Sequence, residues 1–163
     1  MDELAIYNKA RWEELSGANI IYSRPWLELD KTTVRQKVDP EGILDEIAGK
    51  DVLCLAGGGG QQSVAFAMLG ARVTVLDLSE TQLRRDQEAC EHYGFHVYTY
   101  QGDMRDLSMF DEDSFDIVWH AHSLNFVPDA TTVFAEVARI LRPGGKYRLS
   151  CHNPYIHGVE END

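Results

Sequence analysis

The sequence predicts an α/β three-layer sandwich, a mostly parallel sheet of about five strands with helices on both faces. Three observations point there. From Asp51 onward, short apolar runs alternate with amphipathic stretches of helical period. A glycine or a capping residue punctuates most of these segments. The chain of 163 residues, 44% apolar, is long enough for one core and little more. Strands and helices alternating at this spacing form βαβ units, whose right-handed crossovers bring every strand's C-terminal end to one edge of the sheet.

Each element has its own signal. Residues 2–15 place Leu4, Tyr7, Trp12 and Leu15 on one helical face. Residues 19–26 are aromatic and irregular, and a polar stretch runs on through Lys37. Asp39 followed by Pro40 reads as an N-cap and first helical residue, with Gly49 closing a short helix. Asp51–Leu55 is an apolar strand broken by Gly57–Gly60, and Gln61–Leu69 is a helix stopped by Gly70. Arg72–Leu76 is a β-branched strand ending in Asp77. Ser79 and Gln82 form a capping box for a helix that reaches Tyr93 and ends at Gly94. His96–Tyr100 and Phe115–His120 are further strands, separated by an acidic loop with Asp106, Asp111, Glu112 and Asp113. A helix from about Asp129 buries Phe134, Val137, Ala138 and Leu141, and Arg142–Gly145 turns the chain into a last strand, Lys146–Cys151.

Composition narrows the function classes. Acids outnumber bases 27 to 15, a net charge of −12, which repels phosphate backbones and anionic lipid. No nucleic-acid or membrane partner is expected. The three cysteines fit neither a disulfide framework nor a zinc spacing, and no metal site is expected. The acidic start, without the charged-then-apolar form of a signal peptide, points to a cytoplasmic protein.

In open α/β sheets ligands bind beyond the strand C-termini, so the residues after each strand carry most weight. After the first strand, Ala56–Gly60 allows positive φ and close backbone approach, with a helix N-terminus behind it. A flexible linker would need polar spacers that the flanking apolar residues lack. After the second strand comes Asp77, 20 residues past Gly57, placed to accept hydrogen bonds from both hydroxyls of a ribose. Alone it would read as a strand-end turn residue. After the third strand, Gly102, Asp103 and Met104 supply an acid and a soft apolar side chain, suited to the edge and face of an adenine or to an ordinary loop.

Taken together, Val52–Gly60, Asp77, Gly102–Met104, Phe115–Val118, Val127–Asp129 and Leu141–Gly145 resemble the Rossmann-like, S-adenosylmethionine-dependent methyltransferases. The likeness covers roughly residues 51–150. It implies that the backbone of Ala56, Gly57, Gly58 and Gly60 passes the methionine end of the cofactor and that Asp77 holds the ribose. It further implies that Leu78 packs on the adenine, Asp103 meets its amine, Met104 lies beside the ring, and His120 contacts the cofactor's amino group through backbone. Two positions depart from the family pattern. Cys54 stands where an acid is usual two residues before the first motif glycine, and Ala56 replaces that glycine. A group near Tyr22 or Arg24 is expected to take over the acid's role.

The chemistry implied is in-line displacement on a small-molecule acceptor, which asks for proximity, alignment and a dry pocket. If the acceptor needs a base, His120, His122 and His152, with Asn153 and Tyr155, come from adjacent strand ends. Each histidine could equally cap a strand end. Residues 1–38, with Tyr22 and Trp26, are expected to cover the cofactor, where aromatic faces attract a sulfonium. Residues 39–158 form the cofactor-binding domain and 159–163 an acidic tail. Two other functions remain open at this point: a non-catalytic cofactor-binding module, and an NAD-dependent oxidoreductase, although Gly58 and Gly60 are followed by Ser63 and not by a third glycine. The family usually adds two strands after the fifth. The expectation is therefore a shortened form with an incomplete acceptor pocket and a fifth strand whose exposed edge pairs two copies.

Overall fold

The computed structural model describes residues 1–151. Five strands, β1 (Asp51–Leu55), β2 (Arg72–Asp77), β3 (Tyr98–Gln101), β4 (Phe115–Ala121) and β5 (Leu141–Ser150), form one sheet. Its order is β3-β2-β1-β4-β5, and every pairing is parallel. Helices α1 (Glu3–Gly17), α2 (Val34–Val38), α3 (Gln62–Met68), α4 (Glu80–His92) and α5 (Ala130–Ile140) complete the expected three-layer α/β architecture. The chain winds outward from β1 to β3, then returns to β4 on the other side of β1. The crevice between the ends of β1 and β4 is the topological switch point where such sheets take ligands.

Strand alternation builds the two cores. Val52, Cys54, Val73, Val75, Ile117 and Trp119 point to one face, against α2, α3, α4 and the buried Leu44 and Ile47. Leu53, Leu55, Leu76 and Val118 point to the other, against Met104, Leu107 and the Val133, Val137 and Ile140 stripe of α5. The period of two in β1 thus feeds both layers. Among the described residues β5 pairs only with β4, so its outer edge is open. No helix among them is long and apolar enough to cross a membrane.

Four local expectations need correction. Residues 39–49 are not helical; the helix is α2, one step earlier. Gly42 and Asp45 take positive φ (68° and 52°), which ends any helical run there. The Asp39 carboxylate still caps, but it accepts from Ile43 N at 2.7 Å in a turn and is held by Arg35 at 2.7 Å. In α2, Val34 and Val38 lie one turn apart and are both buried within what reads as a polar stretch.

The inner face of α1 is Ala5, Asn8, Trp12 and Ser16, whereas Leu4 and Tyr7 are exposed. This helix faces a cavity and not the core, so its inner side mixes the small Ala5 and Ser16 with the polar Asn8 and the aromatic Trp12. In α5 the buried face is Val133, Val137 and Ile140; Phe134 and Ala138 are exposed. Phe134 instead meets Tyr147 edge-on at the margin of the helix. At the start of β5, Arg142–Gly145 belongs to the strand through a register shift opposite Phe115–Ile117.

Candidate functional site

At the end of β1 the chain makes a tight turn in which Ala56 takes φ 47° and its N–H donates to Leu76 O at 2.8 Å. Gly58 N donates to Asp77 Oδ2 at 3.0 Å. A Cβ on Gly58 would lie 2.6 Å from Gln82 Cβ and 2.9 Å from Asp77 Oδ2, so only glycine lets loop, acid and α4 come this close. Asp77 Oδ1 accepts from Ser79 N at 2.9 Å, and the Ser79 hydroxyl caps α4 by accepting from Gln82 N. Burial pushes the Asp77 carboxyl up to about 6, although its backbone donors pull the other way.

Gly59 and Gly60 are held from beneath. Asp86, fully buried on α4, accepts from Gly59 N at 2.9 Å, from Gly60 N at 3.0 Å and from the Ser63 hydroxyl. Burial lifts this carboxyl to about 7 against the pull of those bonds. Cys54, below the same loop, is fully buried, and burial raises its thiol, with Asp86 adding to the effect. The acid absent from β1 is thus matched by one on α4, and neither Tyr22 nor Arg24 takes its place beneath the loop. The sequence did carry a signal, since Asp86 interrupts the inward stripe of Leu83, Ala89 and Cys90.

These residues border a cavity of about 550 Å³. Leu78, Gly102, Asp103, Met104 and Arg105 line the end beside β2 and β3. Asp77, Gly58 and Gln82 occupy the middle, and Ala56, Gly57, Gln61, Gln62, Ala121, His122 and Ser123 the end beside β1 and β4. Ala5, Asn8 and Trp12 of α1, with Tyr22, Phe126 and Val127, also line it. Gln82 is 3% exposed, and its buried Oε1, beside Gly59, has no hydrogen-bond partner among the described residues.

The α1 segment is fastened at several points. Arg105 donates to Asp103 (Nη2–Oδ2 2.6 Å) and to Asp2 (Nη1–Oδ2 2.7 Å), the N-cap of α1. Burial opposes ionisation of Asp103, but the Arg105 contacts outweigh it and hold the carboxyl below its usual range. Asn8 donates to Phe126 O at 2.9 Å, and Trp12 meets the Phe126 ring edge-on. Gln61 Nε2 donates to Arg24 O at 2.9 Å, and Trp26 N to Gly60 O at 2.8 Å.

Of the residues singled out from sequence, Tyr22, Ala56, Gly57, Gly58, Asp77, Leu78, Asp103, Met104 and His122 border this cavity. Gly60 does not; a Cβ there would lie 2.6 Å from Arg85 O and 2.8 Å from Ala89 Cβ, behind the loop. His120 does not either. Its ring is fully buried on the α5 side of β4, with Nδ1 2.8 Å from Tyr147 Oη. Burial lowers His120 to about 4 and pushes Tyr147 up to about 12, so both side chains are neutral near pH 7; the expected contact of His120 with a cofactor runs through its backbone, not this ring. His152, Asn153 and Tyr155 lie outside the described residues. Gln82, Asp86, Arg105 and the inner face of α1 are what sequence reading missed.

Residues 53–149 match the family model described as a methyltransferase domain, more than half of the chain. The chain belongs to that family. A Bacillus subtilis relative, "Uncharacterized methyltransferase YbaJ", is 41% identical over 72% of this chain and 46% of its own length. A ubiquinone biosynthesis O-methyltransferase of Xanthomonas euvesicatoria is 36% identical over 66% of this chain and 45% of its own. The crystal structure of a Pyrococcus horikoshii protein aligns with TM-score 0.64 at 27% identity, over 80% of this chain and 63% of that one. The chain spans less than half the length of the two curated relatives it matches here.

This is the Rossmann-like methyltransferase domain of the S-adenosylmethionine-dependent class, and the cavity fits that cofactor. Gly58 leaves a cradle that a Cβ would fill, 2.9 Å from Asp77 Oδ2 and 2.6 Å from Gln82 Cβ. The cavity offers acceptors for a nucleoside, while the loop N–H groups that would receive a pyrophosphate are already bonded to Asp86. That arrangement disfavours a dinucleotide.

Proposed function

We propose that this domain binds S-adenosylmethionine across the ends of β3, β2, β1 and β4 and supports methyl transfer to a small-molecule acceptor entering beside His122, Trp12 and Phe126. The observation that carries the reading is the contact of Gly58 with Asp77 in a cavity that also contains Asp103 and Met104. In this reading Asp77 accepts from the ribose hydroxyls. Leu78 and Met104 flank the adenine, and Asp103 accepts from its amine while keeping its bond to Arg105. The backbone of Ala56–Gly58 runs beside the amino-acid end. When bound, the cofactor supplies a methyl group activated by a positive sulfur.

The residues supply the rest. Trp12, Tyr22 and Phe126 line the cavity and present aromatic faces to positive charge. His122, held at the end of β4 with φ 57° and its N–H on Ser150 O, is the candidate to take a proton from the acceptor. The O-methyltransferase named among the relatives supports a small hydroxyl-bearing acceptor.

Calorimetry with S-adenosylhomocysteine and with NAD tests the cofactor half of this reading, and S-adenosylhomocysteine alone is expected to bind. Labelled methyl transfer to a panel of small phenols and alcohols tests the other half. His122→Ala is expected to lower turnover ~10²-fold while leaving S-adenosylhomocysteine affinity within about twofold. Tight NAD binding, or unchanged turnover in His122→Ala, would overturn the corresponding half.

A further inference from the structure

Asp86 does not border the cavity, but it holds Gly59 and Gly60, the rear of the loop whose front, Ala56–Gly58, lines it. Its two carboxylate oxygens take the N–H groups of Gly59 and Gly60 and the hydroxyl of Ser63, joining the loop, the first turn of α3 and α4. The Gly59 N–H is shared with Gln82 O at 3.2 Å. An alanine at this helical position would continue the apolar stripe and avoid burying a charge. The carboxylate therefore needs an explanation beyond packing.

The strand beneath the loop supplies no alternative hold. The Cys54 Cβ would lie 3.3 Å from a Cβ on Gly57, so this side chain is directly under the turn, but a buried thiol is a poor hydrogen-bond partner. The other carboxylate on the loop, Asp77, faces the cavity and is shared with whatever binds there. Asp86 is the hold that a ligand does not compete for.

Strand order gives the loop its place along a bound nucleoside. With the base at β2 and β3 and the ribose on Asp77, the 5′ substituent extends over Ala56–Gly58 toward β1 and β4. We infer that Asp86 is a positioning residue that sets the Gly57–Gly60 backbone for that 5′ substituent, doing from α4 what β1 cannot do through Cys54. The inference rests on the cofactor reading above and deepens it.

The experiment measures binding of two ligands that differ only beyond the ribose. S-adenosylhomocysteine carries the amino-acid tail, and 5′-methylthioadenosine lacks it. Asp86→Asn keeps the side chain's size but sets an amide N–H against a loop N–H. At a temperature where thermal melts show both proteins folded, it is expected to weaken S-adenosylhomocysteine about tenfold and 5′-methylthioadenosine less than about twofold. Ser63→Ala removes one donor from the same carboxylate and serves if Asp86→Asn does not fold; a loss of about threefold confined to S-adenosylhomocysteine is expected. Equal losses for both ligands, or none for either, would overturn the inference. Failure of the unaltered protein to bind either ligand would overturn the cofactor reading itself, and this inference with it.

Discussion

Ala56 is an L-residue in the left-handed region, at the turn where β1 hands the chain to the glycine loop. That conformation costs a residue with a Cβ ~1–2 kcal/mol, which glycine avoids at some loss of unfolded-state entropy. Ala56→Gly is therefore expected to stabilise the fold by about 1 kcal/mol, a rise in Tm of roughly 2–4 °C for a chain of this size. Thermal denaturation checks it, and a lower Tm would show that the turn relaxes around alanine without strain. Gly58 is the converse, since any Cβ there meets Gln82 and Asp77 below 3 Å. The two positions look alike in a run of small residues. The sequence marks the turn, but not which residue carries positive φ and which carries the close approach, because both depend on α4.

At the scale of elements, α1 is the piece whose role depends most on distant partners. Its N-cap Asp2 is joined through Arg105 to Asp103, residues separated by about one hundred positions in the chain. Asp2 and Arg105 are partly exposed, so the bridge is screened by salt. Arg105→Met is expected to loosen α1 over the cavity. Limited proteolysis should cut within residues 1–20 faster than in the unaltered protein, and S-adenosylhomocysteine should dissociate about threefold faster with little change in association. Unchanged dissociation in both low and high salt would show that the Trp12–Phe126 and Asn8–Phe126 contacts suffice to hold the helix.

The elements themselves were largely legible. β1, β2, β4 and α4 fall where alternation and caps place them, to within a residue at most ends. The faces of α1 and α5 were not, because periodicity gives a helix its stripe while its neighbours decide how far that stripe is rotated. Residues 39–49 misled because a capping aspartate followed by proline also opens a turn.

Across the whole molecule, three buried titratable groups oppose one another as pH changes. His120 is held at about 4, below its ordinary 6.5, so the stability gained from a neutral ring is present above pH 6.5 and lost as pH falls through 4. Asp77 and Asp86 sit at about 6 and about 7, above the ordinary 3.8. Their contribution is fully present below pH 3.8 and is lost as pH rises through 6 and 7. Relative to the unaltered protein, His120→Gln should therefore fare better as pH falls from 6.5 to 4, and Asp86→Asn should fare better as pH rises from 4 to 8. Denaturation midpoints at pH 4.5 and 7.5 read both trends; curves that run parallel to the parent would show that these groups titrate normally. A surface charge of −12 adds uniform repulsion at high pH but does not distinguish the variants' directions.

By itself the sequence determined what local pattern can carry. Alternation of period two, glycine stops and capping residues specified a parallel sheet, spacing marked Asp77, strand-end position drew attention to the glycine turn and Gly102–Met104, and the resemblance to the family gave these residues their cofactor roles. Only the tertiary structure decided the rest. It turned the His120 ring into the core beside Tyr147, laid α1 over the cavity on the face that carries Ala5, Asn8 and Trp12, and brought Asp86 under a loop 26 residues earlier. Those outcomes depend on which way a strand's alternate residues face and how a helix is rotated once packed, and such choices are settled by partners far away in the chain.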